Sequence, residues 1–542
     1  MKKKLFLGFV PILLLFSGLL YSQIQSIALN GNNIKSYITN TGVFDQKRGS
    51  DSAGFEWPKG SGKFTMYSAG FNIGGYMNGL RLMSSASYKG EYFPGYCIGG
   101  VPHTNSNFHI FKVSRGDNMT SNPDWANWGQ MVPYGAPFVD VNHNGTYEPA
   151  VDTPGVSGAI QTIYVCLTDG FNSLHTSNEG FGGGTTPFFA ELHMTAWCYN
   201  NTLLQDVQFI KWVIINKASS AWDSTIFSIF CDADVGDPYN DFIGVDSSRK
   251  LGFCYNAANN DPVYGTAPPA VGITIIKGAI RYGFPPINLG LSSFNFLSNP
   301  NNWTIQCETD PYGNVHGAYF NMMGYKNDSS CWINPLLLSG TRKTVFCFPG
   351  DPETRTGWTE LDGSYSNCNS DSVSELSMPN GPGDRRFLLN SGKVKLNPGD
   401  SQTIVIAQVI AQGTNNLNSV TKLKILSDTA NAFYNRSFIV INKTPAEVLP
   451  DKFSLYQNYP NPFNPATTIK FNIPADTKGR ISDVKLIIYD ILGKEVTQLV
   501  NDKLQAGIYE VSFDGSNIPS GVYFYKITAG NYVDTKKMLL IK

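Results

Sequence analysis

The sequence predicts a mainly β protein: a β-sandwich-rich, multi-domain body followed by a smaller immunoglobulin-like β-sandwich at the C-terminus. Three observations carry that expectation. The 542 residues include 53 Gly, 49 Asn and 31 Pro, the residues that build tight turns. Aromatic residues reach 13% while charged residues stop at 15%, below the usual ~25%, so large apolar surfaces outnumber solvated faces. Short apolar runs recur with a period of two, bounded by Gly, Pro, Asn and Asp. An apolar content of 42% fills cores and excludes a highly charged disordered chain. With 41 basic against 42 acidic residues there is no basic footprint for nucleic acid.

Residues 1–22 read as a secretory signal peptide. Lys2, Lys3 and Lys4 precede an apolar run from Leu5 to Leu20, interrupted by Pro11, and small Ser22 precedes Gln23. The run is short for a ~20-residue span, and no later segment reaches 18 apolar residues, so no transmembrane span is expected in the mature chain. Removing the lysines leaves 38 basic against 42 acidic residues, with residues 23–451 at net −7 and 452–542 at net +3.

The body divides, on this reading, into an N-terminal β-rich region (23–160) and a central sandwich-rich region (161–440), although its length also fits one large sandwich. Val207 to Ile215 is nearly continuous in apolar, β-branched residues and reads as a central buried strand. Thr225 to Phe230 follows after a turn as its expected antiparallel partner. Ser401 to Ile410 is another strand, introduced by the turn Asn397-Pro-Gly-Asp400. One helix is expected, capped by Ser419, with Val420, Leu423, Leu426, Ala430 and Phe433 at near-helical spacing. The nine cysteines fall between Cys97 and Cys368 without a CxxC; Cys231 with Cys254, or Cys331 with Cys347 or Cys368, are candidate pairs.

From residue 441 the composition changes. Lys443-Thr-Pro-Ala-Glu-Val-Leu-Pro450 is a Pro-punctuated linker (441–451). Four prolines in the next segment exclude helix and central strand, since each lacks a donor N–H. Beyond it, Val484–Asp490, Tyr509–Phe513, Gly521–Ile527 and Met538–Ile541 alternate like strands, with turns at Gly493, Gly507 and Gly515.

Residues 452–542 resemble the type A C-terminal sorting domain of the type IX secretion system. The resemblance rests on Asn458-Tyr-Pro-Asn-Pro-Phe-Asn464, Ile488-Tyr-Asp-Ile-Leu-Gly-Lys-Glu-Val496, Pro519-Ser-Gly-Val-Tyr-Phe-Tyr525 and Lys536-Lys-Met-Leu-Leu-Ile-Lys542. It implies recognition by the type IX translocon and attachment machinery. The destination it implies is the exterior of a Gram-negative outer membrane, at the cell surface or in the medium. Two body segments, Ser52-Ala-Gly-Phe-Glu-Trp-Pro-Lys-Gly-Ser-Gly-Lys63 and Pro382-Gly-Asp-Arg-Arg-Phe-Leu-Leu-Asn-Ser-Gly392, resemble those of large uncharacterised exported proteins, which implies no activity.

Two acidic loops are candidate metal sites. In Asp140-Val-Asn-His-Asn-Gly-Thr-Tyr-Glu-Pro-Ala-Val-Asp152, oxygen-bearing Asp140, Asn142 and Asn144, Gly145, and the Thr146 carbonyl match the first half of a calcium loop. Position twelve is Val151 rather than Glu, so Glu148 or Asp152 would close the shell. In the second loop Asp232, Asp234, Asp237 and Asp241 crowd within ten residues, and a hard cation such as calcium would offset their repulsion.

Motifs for other chemistry are missing. Gly60-Ser-Gly-Lys63 is no phosphate loop, because Trp57 stands where the first Gly belongs and Phe64 where the hydroxyl belongs. There is no HExxH and no G-x-S-x-G. The sequence therefore gives no catalytic residues and no organic cofactor. It favours an exported, non-enzymatic structural, adhesive or binding protein stabilised by calcium, with a surface polysaccharide as candidate partner. The alternatives are a secreted hydrolase of polysaccharide or protein, with its carboxylates among Asp232 to Asp241, and a carbohydrate-binding protein.

Overall fold

The computed structural model describes residues 25–541 except 143, 177–180, 283–286, 300–304, 338–342, 365–367, 370–379, 438–441, 445–449, 465, 475–481, 505 and 516–517. The expected signal peptide lies outside the described residues. Strands hold 45% of the chain and helices 11%, so the mainly β expectation holds. The chain divides into two compact units, Met1–Ala430 and Asn431–Lys542.

The first unit is built on two nine-stranded antiparallel sheets. In one, the order is Ser26–Leu29, Ser36–Thr39, Val43–Phe44, Phe64–Met77, Trp222–Ala233, Arg385–Leu396 and Ser293–Ser298, with two short strands also pairing to Phe64–Met77. In the other it is Phe111–Ser114, Gln161–Thr168, Ala190–Cys198, Val207–Asn216, Ser401–Ala411, Ala270–Lys277, Leu251–Asn256 and Asp241–Asp246, with Phe93–Pro94 beside Gln161–Thr168. The regions drawn on either side of residue 160 thus contribute strands to both sheets.

Inward-facing side chains alternate along the strands and meet between the sheets. Phe71 of the first sheet stacks on Trp212 of the second at 4.8 Å, and Phe44 approaches the same indole at 5.9 Å. Val207–Asn216 is a central strand, as its composition predicts, but its neighbours are Ala190–Cys198 and Ser401–Ala411. The expected pairing with the segment that follows is corrected: Trp222–Ala233 lies in the other sheet, between Phe64–Met77 and Arg385–Leu396. Both strands are apolar enough to need a neighbour on each edge, and crossing between sheets gives each two.

The outer face of the first sheet carries a second apolar cluster. Phe230, Leu388 and Leu297 pack there with Ala318, Tyr319 and Met322 of the helix Val315–Met322. A close approach also shapes this face. A Cβ at Gly70 would sit 1.5 Å from the Ala86 carbonyl oxygen, so only glycine lets the segment 85–88 cross the sheet. Ser68 Oγ donates to Ser87 O, and Asn72 Oδ1 accepts from Ser85 Oγ and Ala86 N, which fixes that crossing.

Two further expectations change. The helix runs Asn416–Ser437, and Asn418 N donates to Asn415 Oδ1. Asn415 therefore caps it, while Ser419 Oγ, inside the helix, donates to Pro268 O. The disulfide joins Cys307 to Cys368 with Cα atoms 5.7 Å apart, and Cys231, Cys254 and Cys347 are buried free thiols. Gly60–Lys63 lies in a turn closed by Trp57 N to Lys63 O.

The second unit is a sandwich of two four-stranded sheets, Asn442–Thr444, Gly507–Asp514, Ala466–Ile473 and Ser454–Leu455 in one, and Glu495–Leu504, Ser482–Tyr489, Gly521–Ala529 and Tyr532–Leu540 in the other. Phe471, Leu486, Ile488, Tyr525 and Met538 fill its core. The proline-rich opening is held by Tyr525, whose hydroxyl donates to Tyr456 O and accepts from Asn458 N. Residues 442–444, which the sequence places in a linker, pair with Gly507–Asp514. Among the described residues no helix is long and apolar enough to cross a membrane.

One buried ion pair ties the two large sheets together. Glu360, fully buried, accepts from Arg385 Nε of the first sheet at 2.7 Å and from Ile243 N of the second at 2.7 Å. Glu360→Ala leaves the Arg385 charge and the Ile243 amide buried without that acceptor. It is expected to destabilise the body by roughly 3–5 kcal/mol, read as a lower urea midpoint for the body transition. A change below about 1 kcal/mol would show that the contact is not structural.

Candidate functional site

Strand alternation builds the site. Along Trp222–Ala233, Phe227, Ile229 and Cys231 point into the inter-sheet core, so Ser228, Phe230 and Asp232 take the outer face. Asp232 sits directly opposite Arg386 on Arg385–Leu396. Two residues further along each chain, Asp234 and Asp384 continue the same face. Where the apolar cover of Phe230 and Leu388 ends, the outer face turns polar and opens into a cavity of about 690 Å³.

Arg386 is the hub of that cavity. Its Nε lies 3.2 Å from Asp232 Oδ1, 3.3 Å from Asp310 Oδ2 and 2.9 Å from the Tyr88 hydroxyl, to which it donates. Its Nη1 is 3.2 Å from Asp384 Oδ1. Tyr88 donates its proton to Asp232 Oδ2 at 2.8 Å and packs edge-on against Phe230. The Gly70 crossing sets this position, because it carries residue 88 over the sheet. Asn299 Nδ2 donates to Asp384 Oδ2 at 2.8 Å. Tyr67, Tyr312, Arg48, Asp51 and Lys89 complete the wall. Tyr312 is held at φ 44°, a left-handed conformation unusual for a bulky residue, and the residue is 62% exposed at the rim.

Arg386 faces four carboxylates, Asp232, Asp310, Asp384 and, beyond them, Asp234. Burial, opposed by Arg386, pushes the Asp232 carboxyl up to about 6. Burial, again opposed by Arg386, pushes Asp310 to about 7. Asp234 is raised well above the usual range by burial and by its neighbours Asp232 and Asp384. Burial alone would lower the Arg386 pKa, but Asp232, Tyr88, Asp310 and Asp384 outweigh it and hold the charge. Four buried atoms still lack an aligned hydrogen-bond partner: Asp232 Oδ1, Asp310 Oδ1, Asp384 Oδ1 and Arg386 Nη1.

The aspartates of the second acidic loop separate. Asp232 and Asp234 face the cavity. Asp237 Oδ1 accepts from Tyr239 N within the turn. Asp241 is fully buried; its Oδ2 accepts from Val235 N, its Oδ1 accepts from Asn256 Nδ2, and burial holds its pKa well above the carboxylate range.

In the first loop the side chains do converge. Asp140 accepts from Asn144 N and Gly145 N, while the Asn142 and Asn144 amides both donate to Glu148 Oε2 at 2.6 and 2.7 Å. Asn144 Oδ1 accepts from Thr146 N, and Asp152 accepts from Val141 N and Glu148 N. A separate buried group, Cys166, Glu191 and His193, lies on the second sheet. There His193 Nε2 is 3.0 Å from Glu191 Oε1 and Lys217 balances the charge, so His193 is a satisfied interior residue.

Sequence reading missed Asp310, Asp384, Arg386 and Tyr88. The run Asp384-Arg385-Arg386 ahead of apolar Phe387-Leu388-Leu389 was the available signal, since charges heading a buried strand need partners. Asp310 and Tyr88 carry none; only the tertiary fold brings them within reach.

No curated protein matches the chain. Among solved structures, a polysaccharide lyase aligns at 8% identity and a TM-score of 0.16, over 65% of this chain and 34% of the lyase. The chain thus spans about a third of that lyase, and at this score the likeness extends to neither fold nor activity. Residues 457–542 match the family model described as the secretion system C-terminal sorting domain. The C-terminal sandwich is therefore a type IX secretion C-terminal sorting domain, and its presence marks the chain for export to the cell surface or the extracellular space.

Proposed function

We propose that the exported body is a non-enzymatic binding protein whose cavity around Arg386 takes a polyhydroxylated ligand of the saccharide class. The observation that carries this reading is the pairing of an unsatisfied buried donor, Arg386 Nη1, with an unsatisfied buried acceptor, Asp310 Oδ1, in one cavity. Each such group costs about 1–3 kcal/mol while it lacks a partner, and a sugar hydroxyl both donates and accepts. Tyr67 and Tyr312 add ring faces for the C–H side of a sugar, and about 690 Å³ lies in the range of small-ligand sites.

A secreted hydrolase is the second reading. It draws on Asp232 and Asp310, whose raised pKa values keep protons available near neutral pH, as a general acid requires. Against it, both carboxyls approach the same Arg386 nitrogen, and the residues are only 3% and 5% exposed. That arrangement suits holding a ligand better than flanking a scissile bond.

Titration calorimetry of the exported protein against a panel of neutral and acidic polysaccharides tests the proposal. Saturable binding is expected, weakened roughly 2- to 13-fold by Tyr312→Ala, which removes a rim contact worth about 0.5–1.5 kcal/mol. Absence of binding across the panel, or affinity unchanged in both Tyr312→Ala and Tyr67→Ala, would overturn it. Product release that stops with Asp310→Asn would establish the hydrolase instead.

The same proposal places calcium in the loop 140–152, where it would displace the Asn142 and Asn144 amides from Glu148 and take their carbonyl oxygens together with Asp140, the Thr146 carbonyl, and Glu148 or Asp152. Calcium at a hundredfold excess over its Kd then adds about 2.7 kcal/mol, a rise of a few degrees in Tm that chelator reverses and Glu148→Gln reduces. A Tm that calcium and chelator leave unchanged excludes the ion.

A further inference from the structure

The cavity contains a second arrangement that the contiguous acidic loop does not describe. Asp232 and Asp234 come from one strand end and Asp384 from its neighbour, about 150 residues away in sequence. Each offers one carboxylate oxygen, and the three atoms lie within 4.8 Å of one another. Oxygens bound at ~2.4 Å to one calcium ion lie no more than about 4.8 Å apart, so the three fit a single shell.

The hydrogen bonding of these carboxylates points to the same ligand. Asp232 Oδ2 is fixed by the Tyr88 hydroxyl and Asp384 Oδ2 by Asn299 Nδ2, both at 2.8 Å. The opposite oxygens, Asp232 Oδ1 and Asp384 Oδ1, are buried and accept no hydrogen bond. Arg386 comes within 3.2 Å of each without the alignment of one. Asp232 is only 3% exposed, so bulk water does not supply the missing donor. Asp234 makes no side-chain hydrogen bond or ion pair among the described residues, and its carboxylate lines the cavity. Two carboxylates oriented by outer donors beside one free carboxylate are the arrangement of metal ligands with their supporting shell. Every available donor atom is a carboxylate oxygen, which selects a hard cation over zinc or copper.

We infer that Asp232, Asp234 and Asp384 bind a divalent cation, with calcium the ion an exported protein meets. The cation adds positive charge where Arg386 faces four carboxylates. It is separate from the ion proposed for the loop 140–152 and does not depend on saccharide binding.

Calcium titration calorimetry on the intact protein tests the inference, with Asp140→Ala as background so that the first loop does not contribute. One equivalent is expected to bind. Asp234→Asn and Asp384→Asn should each weaken it at least roughly 10-fold, the loss that follows removal of even an outer-shell partner, while Asp237→Asn leaves it unchanged. Asp234→Asn also removes a repelling charge, so its Tm in chelator should equal or exceed that of the background, which shows that lost binding is not lost folding. Unaltered stoichiometry and affinity in both Asp234→Asn and Asp384→Asn, or no calcium bound in the Asp140→Ala background, would overturn the inference. Saccharide titrations run in chelator keep the two proposals apart: a saccharide that binds there with no calcium site, or the reverse, rejects one and retains the other.

Discussion

The constraint on which the site depends is the placement of Arg386 opposite Asp232 at the ends of two adjacent central strands. Register decides it. With Phe227, Ile229 and Cys231 committed to the inter-sheet core, Asp232 has only the outer face, and Arg386 shares that face across the ladder. Removing a guanidinium and a carboxylate from water costs several kcal/mol per ion, which the pair offsets only with further hydrogen bonds. Tyr88 supplies one of them, and it reaches the pair because Gly70 lets the segment 85–88 cross the sheet.

Charge balance makes this arrangement a site rather than a plain structural ion pair. The neighbouring Arg385–Glu360 contact is buried and linked to both sheets. Arg386 instead faces Asp232, Asp310 and Asp384 at 3.2 to 3.3 Å, with Asp234 beyond. Burial and mutual repulsion push the Asp232, Asp234 and Asp310 carboxyls upward, and several buried atoms keep no aligned partner. Arginines 385 and 386 thus point to opposite faces of one strand, one closing the fold and the other opening a cavity.

Local chemistry made much of the molecule legible in the sequence. The central strands Val207–Asn216 and Ser401–Ala411 follow from continuous β-branched runs. The sorting domain follows from motifs that lie within 86 residues of one another and depend on no distant contact. What was illegible is long-range. Asp232 and Asp234 could be singled out because they crowd locally, but nothing local distinguishes them from Asp237 and Asp241, which serve the turn and the interior. Asp310, Asp384 and Tyr88 join the cluster only through sheet order and a loop crossing. The helix cap shows the same limit on a smaller scale: Ser419 and Asn415 are both good caps, and the choice rests on Pro268, a partner about 150 residues away.

The pH dependence of thermal stability in chelator tests the central claim most directly, that one guanidinium under-compensates the buried carboxylates. Asp232 and Asp310 have folded values of about 6 and about 7 against an ordinary 3.8, so between about pH 4 and 7 the folded protein binds more protons than the unfolded chain. Stability is then fullest below the unfolded value and is lost as pH rises through the folded values. The wild-type Tm should fall as pH climbs through that window, and Asp310→Asn should flatten the fall, because Asn stays neutral throughout. A wild-type Tm that rises or stays level over the window, or an equal fall in Asp310→Asn, would contradict the account.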